Sequence, residues 1–141
     1  MKRMVSTLCS LLLLMIVMMG CKNDTYEVSI SADRNFYSPS MSSIHGIVLN
    51  PNLRTDNRSS NLVYNWSTTS GGFLNPENNA YSKEIKNQGK GILWTAITDE
   101  GEKADKSITI TLKVEDKSSG KVLAENTLVI EEKEGAYWVK K

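Results

Sequence analysis

Ser107-Ile108-Thr109-Ile110-Thr111-Leu112-Lys113-Val114-Glu115-Asp116 alternates apolar and polar side chains over ten residues. A β-strand turns successive side chains to opposite faces, so this period of two predicts a strand with Ile108, Ile110, Leu112 and Val114 buried and the threonines, Lys113 and Glu115 turned outward. Lys117-Ser118-Ser119-Gly120 then reads as a four-residue hairpin loop, and Lys121 to Glu132 as the returning strand. The same alternation appears upstream in Tyr26 to Ala32 and in Leu62 to Thr68, where Leu62, Tyr64 and Trp66 share a face.

Between these runs lie shorter ones. Ile44 to Leu49 reads as a strand closed by Asn50-Pro51, followed by a polar loop from Asn50 to Asn61. Ser70 to Asn79, with Gly71-Gly72 and Asn75-Pro76, reads as a turn; Ala80 to Ile85 reads as a short edge strand and Ile92 to Thr98 as a further strand. Asp33 to Ser43 reads as a connection with room for a short extra strand. No stretch carries a helical period. About seven strands at this spacing predict an all-β antiparallel sandwich over residues 26–132, with a tail at 133–141. Tyr64, Trp66, Ile110 and Leu112 are expected to meet in its core from facing strands.

The N-terminus follows a different logic. Lys2 and Arg3 precede an apolar run from Leu8 to Met19, the layout of a secretory signal helix over residues 1–20. Twelve helical residues cover only ~18 Å against a hydrocarbon core of ~30 Å, which disfavours a permanent span. The run ends in Met18-Met19-Gly20-Cys21, which resembles a bacterial lipoprotein lipobox. That resemblance implies cleavage between Gly20 and Cys21, diacylglyceryl lipid on the Cys21 sulfur, often with acylation of the new amino terminus, and a tether of residues 21–25. The membrane is then a partner through Cys21, at the outer membrane in a Gram-negative cell and at the outer face of the plasma membrane in a Gram-positive one. Two or more acyl chains anchor durably, where one holds only marginally.

Composition narrows the rest. Residues 22–141 number 120 and hold all 16 acidic residues but 15 of the 17 Lys and Arg, for a net charge of −1. A polyanion-binding domain is normally clearly basic, so no nucleic-acid partner is expected, and net charge gives no sign of adhesion to anionic lipid. The two cysteines are Cys9 and Cys21, so the exported part would carry no disulfide and no cysteine-based metal site.

The stretch Tyr64-Asn65-Trp66-Ser67, Gly71-Gly72-Phe73-Leu74, Ile92-Leu93-Trp94-Thr95-Ala96 and Ile108 to Asp116 resembles a bacterial immunoglobulin-like domain of the polycystic-kidney-disease type. The resemblance covers roughly residues 60–131. It implies an immunoglobulin-like sandwich and a non-enzymatic extracellular module for spacing, adhesion or ligand contact. Ser107 stands where such domains often place a tyrosine, and Ile97 where a proline often follows Thr-Ala.

Chemistry is sparse. His45 is the only histidine and reads as a rim or core residue. Gly89-Lys90-Gly91-Ile92-Leu93-Trp94 has Trp in place of the third glycine of a dinucleotide fingerprint and reads as a turn. Asp99, Glu100, Glu102 and Asp105 could offer oxygen ligands to calcium, yet Lys103 and Lys106 oppose a cation, so a solvated turn is the better reading. No catalytic residue, metal or cofactor is assigned, and a small hydrolase built on paired carboxylates is the weakest alternative. The candidate contacts for an envelope protein or glycan are Arg54 and Arg58, in a polar loop that otherwise reads as simply solvated, and Tyr137 and Trp138 in the tail, for which packing on the sheet edge is the favoured reading and an exposed anchor for a partner or the membrane interface the alternative. The function read from the chain is a lipid-anchored, extracytoplasmic, non-catalytic binding or adhesion module. Its rival is a structural or accessory subunit of an envelope complex.

Overall fold

The computed structural model describes residues 24–40, 43, 45–56, 61–98 and 101–140. The signal segment, with Gly20 and Cys21, lies outside them. The described residues form no helix and eleven strands: β1 (Tyr26–Ala32), β2 (Phe36–Tyr37), β3 (Ile47–Thr55), β4 (Leu62–Thr68), β5 (Gly72–Leu74), β6 (Tyr81–Ser82), β7 (Glu84–Asn87), β8 (Ile92–Thr95), β9 (Ser107–Asp116), β10 (Val122–Lys133) and β11 (Ala136–Val139). They build two antiparallel sheets in a sandwich arrangement, one ordered β1-β3-β8-β5-β6 and the other β2-β11-β10-β9-β4-β7.

Alternation in β9 sorts its side chains as the sequence predicts, with Ile108, Ile110, Leu112 and Val114 fully buried. Trp66 and Leu112 do not face each other across the core, however. They are cross-strand neighbours in one sheet, because β4 pairs directly with β9. The opposing wall is built by Ile47, Leu49, Phe73 and Trp94 from β3, β5 and β8, all at 0% exposure. Trp94 donates its indole N–H to the Ser70 carbonyl at 3.1 Å, which satisfies its one polar atom. Trp66 Nε1 is buried and has no hydrogen-bond partner among the described residues.

Several stretches depart from the sequence reading. The single edge strand expected over Ala80 to Ile85 is two strands, β6 and β7, at the edges of different sheets. β3 does not stop at Asn50-Pro51 but continues to Thr55, paired along its length with β1. Val48 exchanges hydrogen bonds with Asp33 on the β1 side, so Pro51, three positions on, turns its nitrogen the other way. Pairing with β8 has already ended at Leu49 opposite Ile92. The missing N–H therefore costs no ladder bond. Within the Ser70 to Asn79 turn, Gly72–Leu74 is itself a strand, since Phe73 fills the core opposite Trp94. Beyond residue 132, the chain turns at Glu134-Gly135 and returns as β11 alongside β10.

The register sorts the connections into two ends. Tyr26 pairs with Thr55, Leu49 with Ile92 and Leu93 with Leu74. The β3–β4 and β9–β10 connections thus lie at the end where β1 begins, while the β5–β6 and β7–β8 connections face the same way but start level with Leu49 and Ala32, where β1 ends. The turn between β10 and β11, the β4–β5 turn and the segment joining β8 to β9 lie at the opposite end.

Candidate binding surfaces

β11 carries two adjacent aromatics, and the pleat separates them. Tyr137 points inward and is fully buried; Trp138 points outward and is 43% exposed. Inside, the Tyr137 hydroxyl donates to the Ala104 carbonyl at 3.1 Å, and its ring meets Trp94 edge-on at 5.7 Å and Tyr37 at 6.5 Å. Burial and then the nearby Glu132 carboxylate push its phenol up to about 12. Tyr137 is thus a core residue rather than a free contact.

Outside, Trp138 pairs across the sheet with Phe36 on one side and Glu131 on the other. Phe36 is 52% exposed, and the two rings stack at 4.9 Å between centroids with 23° between planes. Glu131 accepts a hydrogen bond from Lys140 Nζ at 2.9 Å and lies 3.2 Å from Lys133 Nζ. Hydrogen bonds from Lys140 and then Lys133 hold its carboxyl below the ordinary carboxylate value. One row on the outer face therefore reads aromatic, aromatic, carboxylate, with two lysines around the last. Phe36 gave no sequence signal, because a two-residue strand is too short to show alternation.

The other candidates are dispersed. Arg54 stands on β3, in the other sheet from Trp138, with its guanidinium 3.9 Å from Glu27 and both side chains largely exposed. Such a pair contributes little. Arg58 lies outside the described residues, as do Asp99 and Glu100. Glu102 and Asp105 are exposed, and the Asp105 backbone N–H is bound by Ser70 Oγ at 3.0 Å. His45 is exposed just ahead of β3. Among the described residues no three His, Cys, Asp or Glu side chains gather closely enough to share a metal ion.

A concavity lies beside Val48, Ile92 and Leu93, level with the end of β1. A cleft of about 650 Å³ opens between the β5–β6 and β7–β8 connections, with Leu74, Ile85 and Leu93 among its apolar lining and Lys86, Lys90 and Glu77 among its polar lining. Asparagines stiffen both connections. Asn75 Oδ1 accepts from the Glu77 N–H at 2.9 Å, and Asn87 accepts from the Gly89 N–H at 3.0 Å while donating to the Lys90 carbonyl at 2.8 Å. Its volume falls in the range of small-molecule sites. No family model, no curated protein and no solved structure matches this chain.

Proposed function

We propose that this chain is an extracytoplasmic lipoprotein, anchored through lipid on Cys21, whose domain is a non-catalytic immunoglobulin-like binding module of the cell envelope. The fold part of the reading is supported by strand order. β1-β3-β8-β5 in one sheet and β4-β9-β10 in the other follow the ABED and CFG order of the constant-type immunoglobulin sandwich, and the fully buried Trp66 lies on the strand in the C position. The anchor rests on Met18-Met19-Gly20-Cys21 after an apolar run.

One observation carries binding: the Phe36–Trp138 pair stacks in solvent at the end opposite Tyr26. From Cys21, the residues Lys22 to Thr25 reach at most about 14 Å, so the anchor would hold the Tyr26 end near the bilayer and turn the aromatic end away. The short tether also suits the second reading, a structural or accessory subunit of a membrane-associated complex. Native purification through the lipidated protein would then recover stoichiometric membrane partners.

Cys21→Ser tests the anchor. The variant is expected to leave the membrane fraction while its far-ultraviolet circular dichroism stays β-rich and unchanged. Full membrane retention of Cys21→Ser would overturn the lipoprotein reading.

A further inference from the structure

We infer that the row formed by Phe36, Trp138 and Glu131 is a glycan-binding site, suited to a chain of β-linked pyranoses with equatorial substituents. The inference deepens the binding-module reading of the same surface and rests on it.

Size argues first. A Phe or Trp side chain presents roughly 150–250 Å² when bare, so exposures of 52% and 43% leave about 200 Å² between them. A stable protein interface buries about 800 Å² on each partner. The aromatic patch is therefore too small to seat a second copy or a protein on its own, yet it matches the face of one or two sugar rings. A pyranose whose substituents are all equatorial shows a flat C–H face, which an aromatic ring accepts without displacing the hydroxyls from water.

The surrounding groups suit the ring's edge. Trp138 is flanked by Glu131 in the next strand, a carboxylate acceptor for hydroxyl groups, while Lys140 and Lys133 bring ammonium donors to the same carboxylate. All three side chains keep access to solvent, at 30%, 59% and 65% exposure for Glu131, Lys140 and Lys133. Phe36 stacked on one side restricts the indole before any ligand arrives, which lowers the ordering cost of binding. Stacked bases would meet the same rings, but residues 22–141 carry a net charge of −1 and offer no broad basic surface along which a phosphate backbone would run. The bilayer is disfavoured by position, because the row sits at the end away from Tyr26.

The test is calorimetric titration of the full-length lipidated protein in detergent with cellotetraose and with its N-acetylglucosamine counterpart. Saturable binding of at least one is expected, about tenfold weaker in Trp138→Ala, near the upper end of what one aromatic contact contributes. Glu131→Gln should weaken it as well, and Trp138→Phe should retain more affinity than Trp138→Ala; circular dichroism checks that each variant is folded. Binding that Trp138→Ala leaves unchanged overturns the site. If neither sugar binds but a photoreactive residue at position 138 crosslinks to an envelope protein, the glycan inference falls and the binding-module reading stands. If neither sugar binds and nothing crosslinks, both fall.

Discussion

Gly71 has φ of +70°, and a β-carbon there would lie 2.4 Å from the Thr95 carbonyl oxygen and 2.9 Å from Trp94 Cζ2. Two costs would combine on substitution: left-handed backbone, at ~1–2 kcal/mol, and overpacking against a fully buried ring, at ~1–3 kcal/mol. Gly120 has nearly the same φ, +69°, but a β-carbon there meets nothing within 4 Å. Gly71→Ala is therefore expected to lose about 3 kcal/mol in urea unfolding and Gly120→Ala about 1 kcal/mol. Equal losses would mean that the contact with Trp94 contributes nothing. The Gly71-Gly72 pair was readable as a turn, but that Gly71 backs directly onto Trp94 was not, since the contact joins residues 23 positions apart in sequence. Trp138 shows the same limit: its period places it opposite Tyr137, but only the pairing of β11 with β10 decides which ring faces the core.

At the level of elements, β1 and β9 were legible with their bounds, because each alternates cleanly from end to end. β3 was cut short because Asn50-Pro51 looks like a terminator; that Pro51 faces away from β1, beyond the end of β8, depends on the sheet's strand order. β11 reads as tail from sequence alone, being four residues long and separated by a turn. Yet it supplies one of the ties between the β8–β9 segment and the core. The Tyr137 hydroxyl donates to the Ala104 carbonyl, three residues ahead of β9. Tyr137→Phe should lower stability by about 1–3 kcal/mol, since it removes one hydrogen bond and strands a buried carbonyl. Its pH dependence has a defined sign. The phenol titrates near 10 in the unfolded chain and at about 12 in the fold, so the folded state keeps a proton that the unfolded state releases. Stability from this group is complete below pH 10 and falls as the pH rises towards 12. Thermal unfolding followed over that range should decline less steeply in Tyr137→Phe. It should not become flat, because burial also raises Tyr64. An identical slope in the variant would remove Tyr137 as the source.

For the whole molecule, the division into two ends makes a prediction that neither end makes alone. With Cys21 lipidated in a vesicle, a fluorophore at Ser119→Cys, in the β9–β10 connection, should be quenched by a quencher buried in the lipid more strongly than one at Lys133→Cys, beside the β10–β11 turn. The reverse order would place the Phe36–Trp138 row against the bilayer. The two-sheet, all-β architecture was legible because three long runs alternate. The layering was not, because strands adjacent in a sheet and strands facing across a core present the same apolar period. The sheet edges have a further consequence. β2 and β6 are two residues each and β7 is four with Lys86 within it, while the longest edge, β1, lies close against β10 of the other sheet. Exposed backbone donors and acceptors are thus few at the β2, β6 and β7 margins. If the proposed anchor holds copies in the plane of a membrane, where collisions are edge to edge and frequent, those three margins would offer little template for strand exchange, and the population would disperse better than sandwiches with long open flanks on every side.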